Sequence, residues 1–152
     1  MQSVLRIGLP CAILVIAAIA QNAPPAEMQQ IGEAAFTVPA NSFKEYPVNV
    51  PAGLKEVRVV GHFRAAGGAH NDIVVCVMSD DQFVNWRNDP IRNNPIKEYF
   101  KGALYDSHKV TQGTIKLALP TDPGTYHVVF YNGYSMLTPK AIEANLALQS
   151  SR

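Results

Sequence analysis

Apolar side chains in this chain recur at every second position, not at every third or fourth. Val57, Val59, Gly61 and Phe63 fall on one side while Arg58, His62 and Arg64 fall on the other. Ile115, Leu117 and Leu119 alternate with Thr114, Lys116 and Ala118, and Tyr126, Val128 and Phe130 alternate with His127, Val129 and Tyr131. Ile142, Ala144, Leu146 and Leu148 do the same against Glu143, Asn145, Ala147 and Gln149. A period of two puts each set on one face of a pleated strand, so these are half-buried strands sharing a core. Residues 73–78 are apolar at every position, which suits a central strand covered on both faces. Two more strands fall at 35–38 and 43–50; Pro47 in the latter has no N–H to donate and marks an edge or a bulge. Turn-forming residues at 51–53, 67–68, 112–113, 120–124 and 132–133 separate the runs. Seven or eight strands so punctuated predict an all-β, antiparallel two-sheet β-sandwich of jelly-roll-like type.

One stretch departs from the pattern. Ser79-Asp80-Asp81-Gln82 has the form of a capping box, Phe83 and Trp86 follow at helical spacing, and Asn88-Asp89-Pro90 is a stop. A single short helix near 80–88 is expected, and the following residues to about 101 read as a long crossover between the sheets.

Ahead of the strands, Arg6 precedes an apolar run over 7–20 that ends Ala18-Ile19-Ala20. A positive charge, about fourteen apolar residues and a small-x-small ending are the parts of a secretory signal peptide, with cleavage expected after Ala20. The run is short for a membrane-spanning helix, which needs about 20 residues, and it contains Pro10. The rival reading is an uncleaved anchor. Gly8 three positions before Cys11 argues against a lipid-bearing cysteine. Residues 21–30, rich in Ala, Pro and Gln, read as a flexible leader, and the sandwich domain is placed at 31–150. Beyond the signal only Cys76 remains, so no internal disulfide is expected and the core alone must hold the domain. With 47% hydrophobic and 16% charged residues, a core is affordable and disorder is excluded. Lys and Arg number 13 against 12 Asp and Glu, without a block of like charge, which excludes a phosphate-backbone binder of nucleic acid. Nothing past the signal is long and apolar enough to span a membrane, and the expected location is secreted or periplasmic.

The run 124–142 resembles the GOLD domain of the p24 (emp24/gp25L) cargo receptors. It carries a Gly124-Thr125-Tyr126 strand start, an aromatic-x-Asn turn at Asn132, then Ser135 and Thr138-Pro139-Lys140 leading into the last strand. The resemblance implies the sandwich fold and a recognition role. The p24 receptors continue into a coiled coil, a membrane helix and a sorting tail, whereas this sequence stops at Arg152, so vesicle-coat binding and membrane anchoring are not implied. The family's strand cysteine falls at Val129 here, so its disulfide is not implied either.

Several residues invite a chemical reading. Asp106-Ser107-His108 uses hydrolase residue types, but three adjacent residues cannot converge as a triad and no Gly-x-Ser-x-Gly elbow exists; a polar turn is the expectation. His62 and His127 lie on the non-core sides of their strands and would meet across a sheet if they shared one, yet a zinc site needs three or four ligands. Asp80-Asp81 and Asn71-Asp72 would have to gather at one end of the sandwich to hold calcium, and the spacing of a calcium loop is absent. No metal or cofactor is assigned. Among the aromatics Phe83, Trp86, Tyr99, Phe100, Tyr105, Tyr131 and Tyr134, core packing is the default and partner contact the alternative. Trp86, Tyr134 and Lys140 are the candidate ligand contacts. The motif residues Gly124, Tyr126, Asn132, Ser135, Thr138, Pro139 and Lys140 are expected to be structural, and Cys76 to be a buried small hydrophobe. The expected function is a non-catalytic exported module that binds a protein or glycan partner. The alternatives are an envelope-associated assembly protein and, last, a metal-assisted hydrolase.

Overall fold

The computed structural model describes residues 26–89 and 100–151. The expected signal at 1–20, the start of the leader and Tyr99 lie outside them. Nine strands form two antiparallel sheets: β1 (Glu27–Ile31), β2 (Ala35–Val38), β3 (Phe43–Val50), β4 (Lys55–Ala66), β5 (Ile73–Ser79), β6 (Tyr105–Val110), β7 (Gln112–Ala118), β8 (Gly124–Tyr131) and β9 (Lys140–Ser151). The one helix among the described residues, α1 (Asp80–Asn88), follows β5 directly. In the first sheet the order is β1-β9-β4-β7, with β2 also paired to β9; in the second it is β3-β8-β5-β6. The described residues form an all-β two-sheet sandwich with one short helix. No helix among the described residues is long and apolar enough to cross a membrane.

Alternation does what the sequence predicts wherever one face meets the core. Val57, Val59, Phe63 and Ala65 of β4 and Ile142, Ala144, Leu146 and Leu148 of β9 are buried, while Arg58, His62, Glu143 and Asn145 are exposed. From the second sheet, Val75, Val77, Val128 and Phe130 close the same cluster. Phe130 meets Phe36, Tyr46 and Phe63 edge-on at centroid distances of 4.9, 6.2 and 6.1 Å, an arrangement that places ring edges against ring faces. Pro47 sits on the edge strand β3, where a missing donor costs no ladder bond.

The second sheet is covered on its outer face as well. Phe83 and Trp86 of α1 pack with Phe100 onto Val74, Cys76 and Met78 of β5 and onto Val129 and Tyr131 of β8. This makes β5 apolar on both sides, as its sequence demands. It also corrects the reading of β8 as half-buried: every residue from Tyr126 to Tyr131 is buried. The helix forms for the expected reason. Ser79 Oγ accepts the Gln82 N–H at 3.3 Å and Gln82 Oε1 accepts the Ser79 N–H at 2.9 Å, with Asp80 and Asp81 in the first turn and Arg87 in the last, each favoured by the helix dipole.

Three further expectations are corrected. Residues 27–30, placed in a flexible leader, belong to β1, which pairs Glu27 with Ser150 and Ile31 with Leu146. The connection after α1 does not cross between sheets, because β5 and β6 are neighbours in one sheet, Ile73 opposite Val110 and Val77 opposite Tyr105. Asp106-Ser107-His108 is a bulged stretch of strand β6, not a turn: His108 has φ +55° and the β5–β6 register shifts between Val74 and Cys76. Ser107 Oγ accepts the Val75 N–H at 2.8 Å, replacing the ladder bond that the bulge removes. β9 runs from Lys140 at one end of the sandwich to Ser151 at the other, so Glu27 and Ser151 share the end remote from Lys140.

Candidate functional site

Three connections meet at the Lys140 end: β2–β3 (39–42), β4–β5 (67–72) and β8–β9 (132–139). Asn132, fully buried, ties two of them together. Its Nδ2 donates to Thr138 O at 2.9 Å and Pro39 O at 3.1 Å, and its backbone N–H donates to Ser42 O at 2.9 Å. Ser135 Oγ donates to Thr138 O at 2.9 Å and accepts the Thr138 N–H at 3.3 Å, while Asn41 N–H donates to Ser135 O at 2.7 Å. A side chain that serves several backbone groups of neighbouring loops holds those loops in one conformation.

Lys140 binds the third connection. Only 3% exposed, it donates from Nζ to Gly67 O at 2.8 Å and to Asp72 Oδ1 at 2.9 Å. Burial pushes the Asp72 carboxyl upward, but the Lys140 hydrogen bond and charge outweigh it and hold the group below its ordinary value. Gly67 has φ +120°, and a Cβ there would stand 2.6 Å from Pro139 O, so the two loops approach as closely as they do only through glycine. Asn71 Oδ1 accepts the Gly67 N–H at 2.8 Å. Tyr134, partly buried, donates its hydroxyl to Asp72 O at 2.8 Å, and the Lys109 ammonium stands 4.1 Å from its ring centroid.

The motif residues Asn132, Ser135, Thr138, Pro139 and Lys140 thus form one laced structure. Tyr126 belongs to the main core and Gly124 opens β8. Of the candidate ligand contacts, Lys140 is spent on holding loops. Trp86 is 8% exposed, enclosed by Phe43, Phe83, Phe100 and Tyr131, and has no face to offer a ligand. Tyr134 alone keeps partial access. The residues that project from this end are ones the sequence analysis passed over: Met136, 76% exposed, and Leu137, 90% exposed, between the Ser135 and Thr138 anchors. Two large apolar residues in succession within a turn of polar residues were the available sign.

The other pairings considered from sequence do not form. His62 lies on the first sheet and His127 on the second, so they cannot meet. His127 is held between Glu45 Oε1 at 2.7 Å from Nδ1 and Asp80 Oδ1 at 2.9 Å from Nε2, and it stacks on Phe83 at 4.2 Å. Asp72 and Asp80 flank β5, about 26 Å apart at strand rise, and each already has a cationic or imidazole partner. No group of three or more His, Cys, Asp or Glu among the described residues is placed to hold a metal ion. Cys76 is fully buried, and burial, then the nearby Asp106 charge, pushes its thiol well above the usual range, so it is a packing residue and not a nucleophile.

No family model matches the chain, and no curated protein matches its sequence.

Proposed function

We propose that this protein is an exported, non-catalytic binding module of GOLD type that recognises a protein partner through its Lys140 end. The observation that carries the reading is Met136 and Leu137 standing exposed on a loop fixed by Asn132, Ser135 and Lys140. Burying such a side chain in a partner's pocket contributes about 1.5–3 kcal/mol. A pre-ordered loop loses little conformational freedom in doing so. Trp86 lies inside and offers no platform for a neutral glycan to stack on, which favours a protein partner over a neutral sugar. The apolar run at 7–20 supports export, and the 124–142 resemblance supports the GOLD type.

The test is chemical crosslinking of the purified protein in extracts of the native compartment. A discrete partner whose capture is abolished by Met136→Ser with Leu137→Ser, and retained when exposed Arg64 is changed to Gln, supports the reading. Capture insensitive to the double change would sink it, and turnover by the purified protein on a hydrolase substrate panel would return the ranking to an enzyme.

A further inference from the structure

The outward face of the first sheet holds a feature that the loop end does not use. The long side chains Arg58, His62, Lys116 and Gln149 stand around small neighbours, Val60 and Ala118, leaving a trough between them. It consists of two adjoining hollows of about 640 and 800 Å3 that share His62 and Thr114, the second reaching Asn145. Among the described residues nothing packs over this face, whereas α1 and Phe100 cover the outer face of the other sheet.

Its charge is unbalanced. Glu143 is taken by Arg64 at 2.8 Å, and neither Arg58 nor Lys116 has a carboxylate within 4 Å among the described residues. Glu56 shares a small hollow with Arg58 at the far end of β4, yet no ion pair joins them. Around the two cations the lining supplies the Thr114 hydroxyl and the Asn145 and Gln149 amides, which both donate and accept.

We propose that this trough binds an acidic oligosaccharide, with Arg58 and Lys116 meeting its carboxylates or sulfates and Thr114, Asn145 and Gln149 meeting its hydroxyls. The two exposed cations without a carboxylate partner favour an anionic ligand. The paired amides and hydroxyl suit one rich in hydroxyl groups. An acidic peptide fits less well, because Val60 and Ala118 make no pocket for an apolar anchor.

The purified protein is titrated by calorimetry with oligogalacturonate and with a sulfated dextran oligomer, against a neutral oligosaccharide of equal length and against polyglutamate. Saturable binding of at least one acidic oligosaccharide is expected, several-fold weaker when salt rises from about 50 to 300 mM. Arg58→Gln with Lys116→Gln should weaken it about tenfold or more, equivalent to one power of ten in Kd, while the Met136→Ser, Leu137→Ser protein binds as before. Chemical-shift changes at Thr114 and Asn145 of the unaltered protein read the same site without substitution. Equal binding of the neutral sugar, equal or tighter binding of polyglutamate, or no saturable binding of either acidic oligosaccharide would each overturn the proposal.

Discussion

The Lys140 ammonium and the Asp72 carboxylate, 68 positions apart in the chain, meet at 2.9 Å beneath the loops that carry Met136 and Leu137. Side-chain exposures of 4% and 19% make this a largely buried lysine paired with a partly buried carboxylate. Removing one partner of such a pair strands the other charge out of water. Lys140→Met should therefore cost about 3 kcal/mol in urea unfolding, and the Lys140→Met, Asp72→Asn double variant should cost less than the single one. A single-variant loss below about 1 kcal/mol would show that the pair is not a structural tie.

The same pair sets a pH dependence. The Asp72 carboxyl has a depressed folded-state value, so its contribution is fully present above the unfolded carboxylate value of about 3.9 and is lost as pH falls through the lower folded one. The stability gap between the wild type and Asp72→Asn should be flat from neutrality to about pH 5 and close steadily below it. A gap that widens on acidification would contradict this sign.

Asn132 gives a sharper discrimination. Its Nδ2 donates to Thr138 O and Pro39 O, while Oδ1 has no hydrogen-bond partner among the described residues. Asn132→Ala leaves buried carbonyls unpaired and should cost about 2 kcal/mol. Asn132→Asp, although nearly isosteric, turns a carboxylate oxygen toward those carbonyls and should cost more than the alanine change. Thermal melts of the two variants decide the order.

Met136→Ser and Leu137→Ser alter side chains that are largely exposed, so stability should stay within about 0.5 kcal/mol of wild type. Partner capture, by contrast, should fall by about tenfold or more, since a loss of 1.4 kcal/mol is already a factor of ten. Equal loss of folding and capture would make the tip structural.

Cys76 should be inert to an aromatic disulfide reagent in the folded protein and react at a rate that follows unfolding as denaturant is added. Rapid stoichiometric labelling without denaturant would contradict its burial between β5 and α1.

Legibility in the sequence followed burial on one face. β4 and β9 were readable because half their residues face the core and half face outward. α1 was readable from Ser79 and Gln82, whose capping role is local. β1 and β6 were not, because Glu27, Met28 and Gln29 or Asp106, Ser107 and His108 sit in edge strands that bury little and so carry no alternation. β8 misled for the opposite reason: His127 and Tyr131 carry polar atoms yet lie under α1, a tertiary contact that no local pattern encodes. The site divided in the same way. Asn132, Ser135 and Lys140 announced themselves as a motif, but whether Trp86 or Leu137 meets solvent depends on which loop folds over which sheet.

Because Glu27 and Ser151 lie together at the end remote from Lys140, a segment joined to either meets the sandwich at the end opposite Met136 and Leu137. Whatever is joined on either side of the two, whether a tether in the cell or a linker on a sensor chip, grips it by the base. Leu137 then faces away from the support.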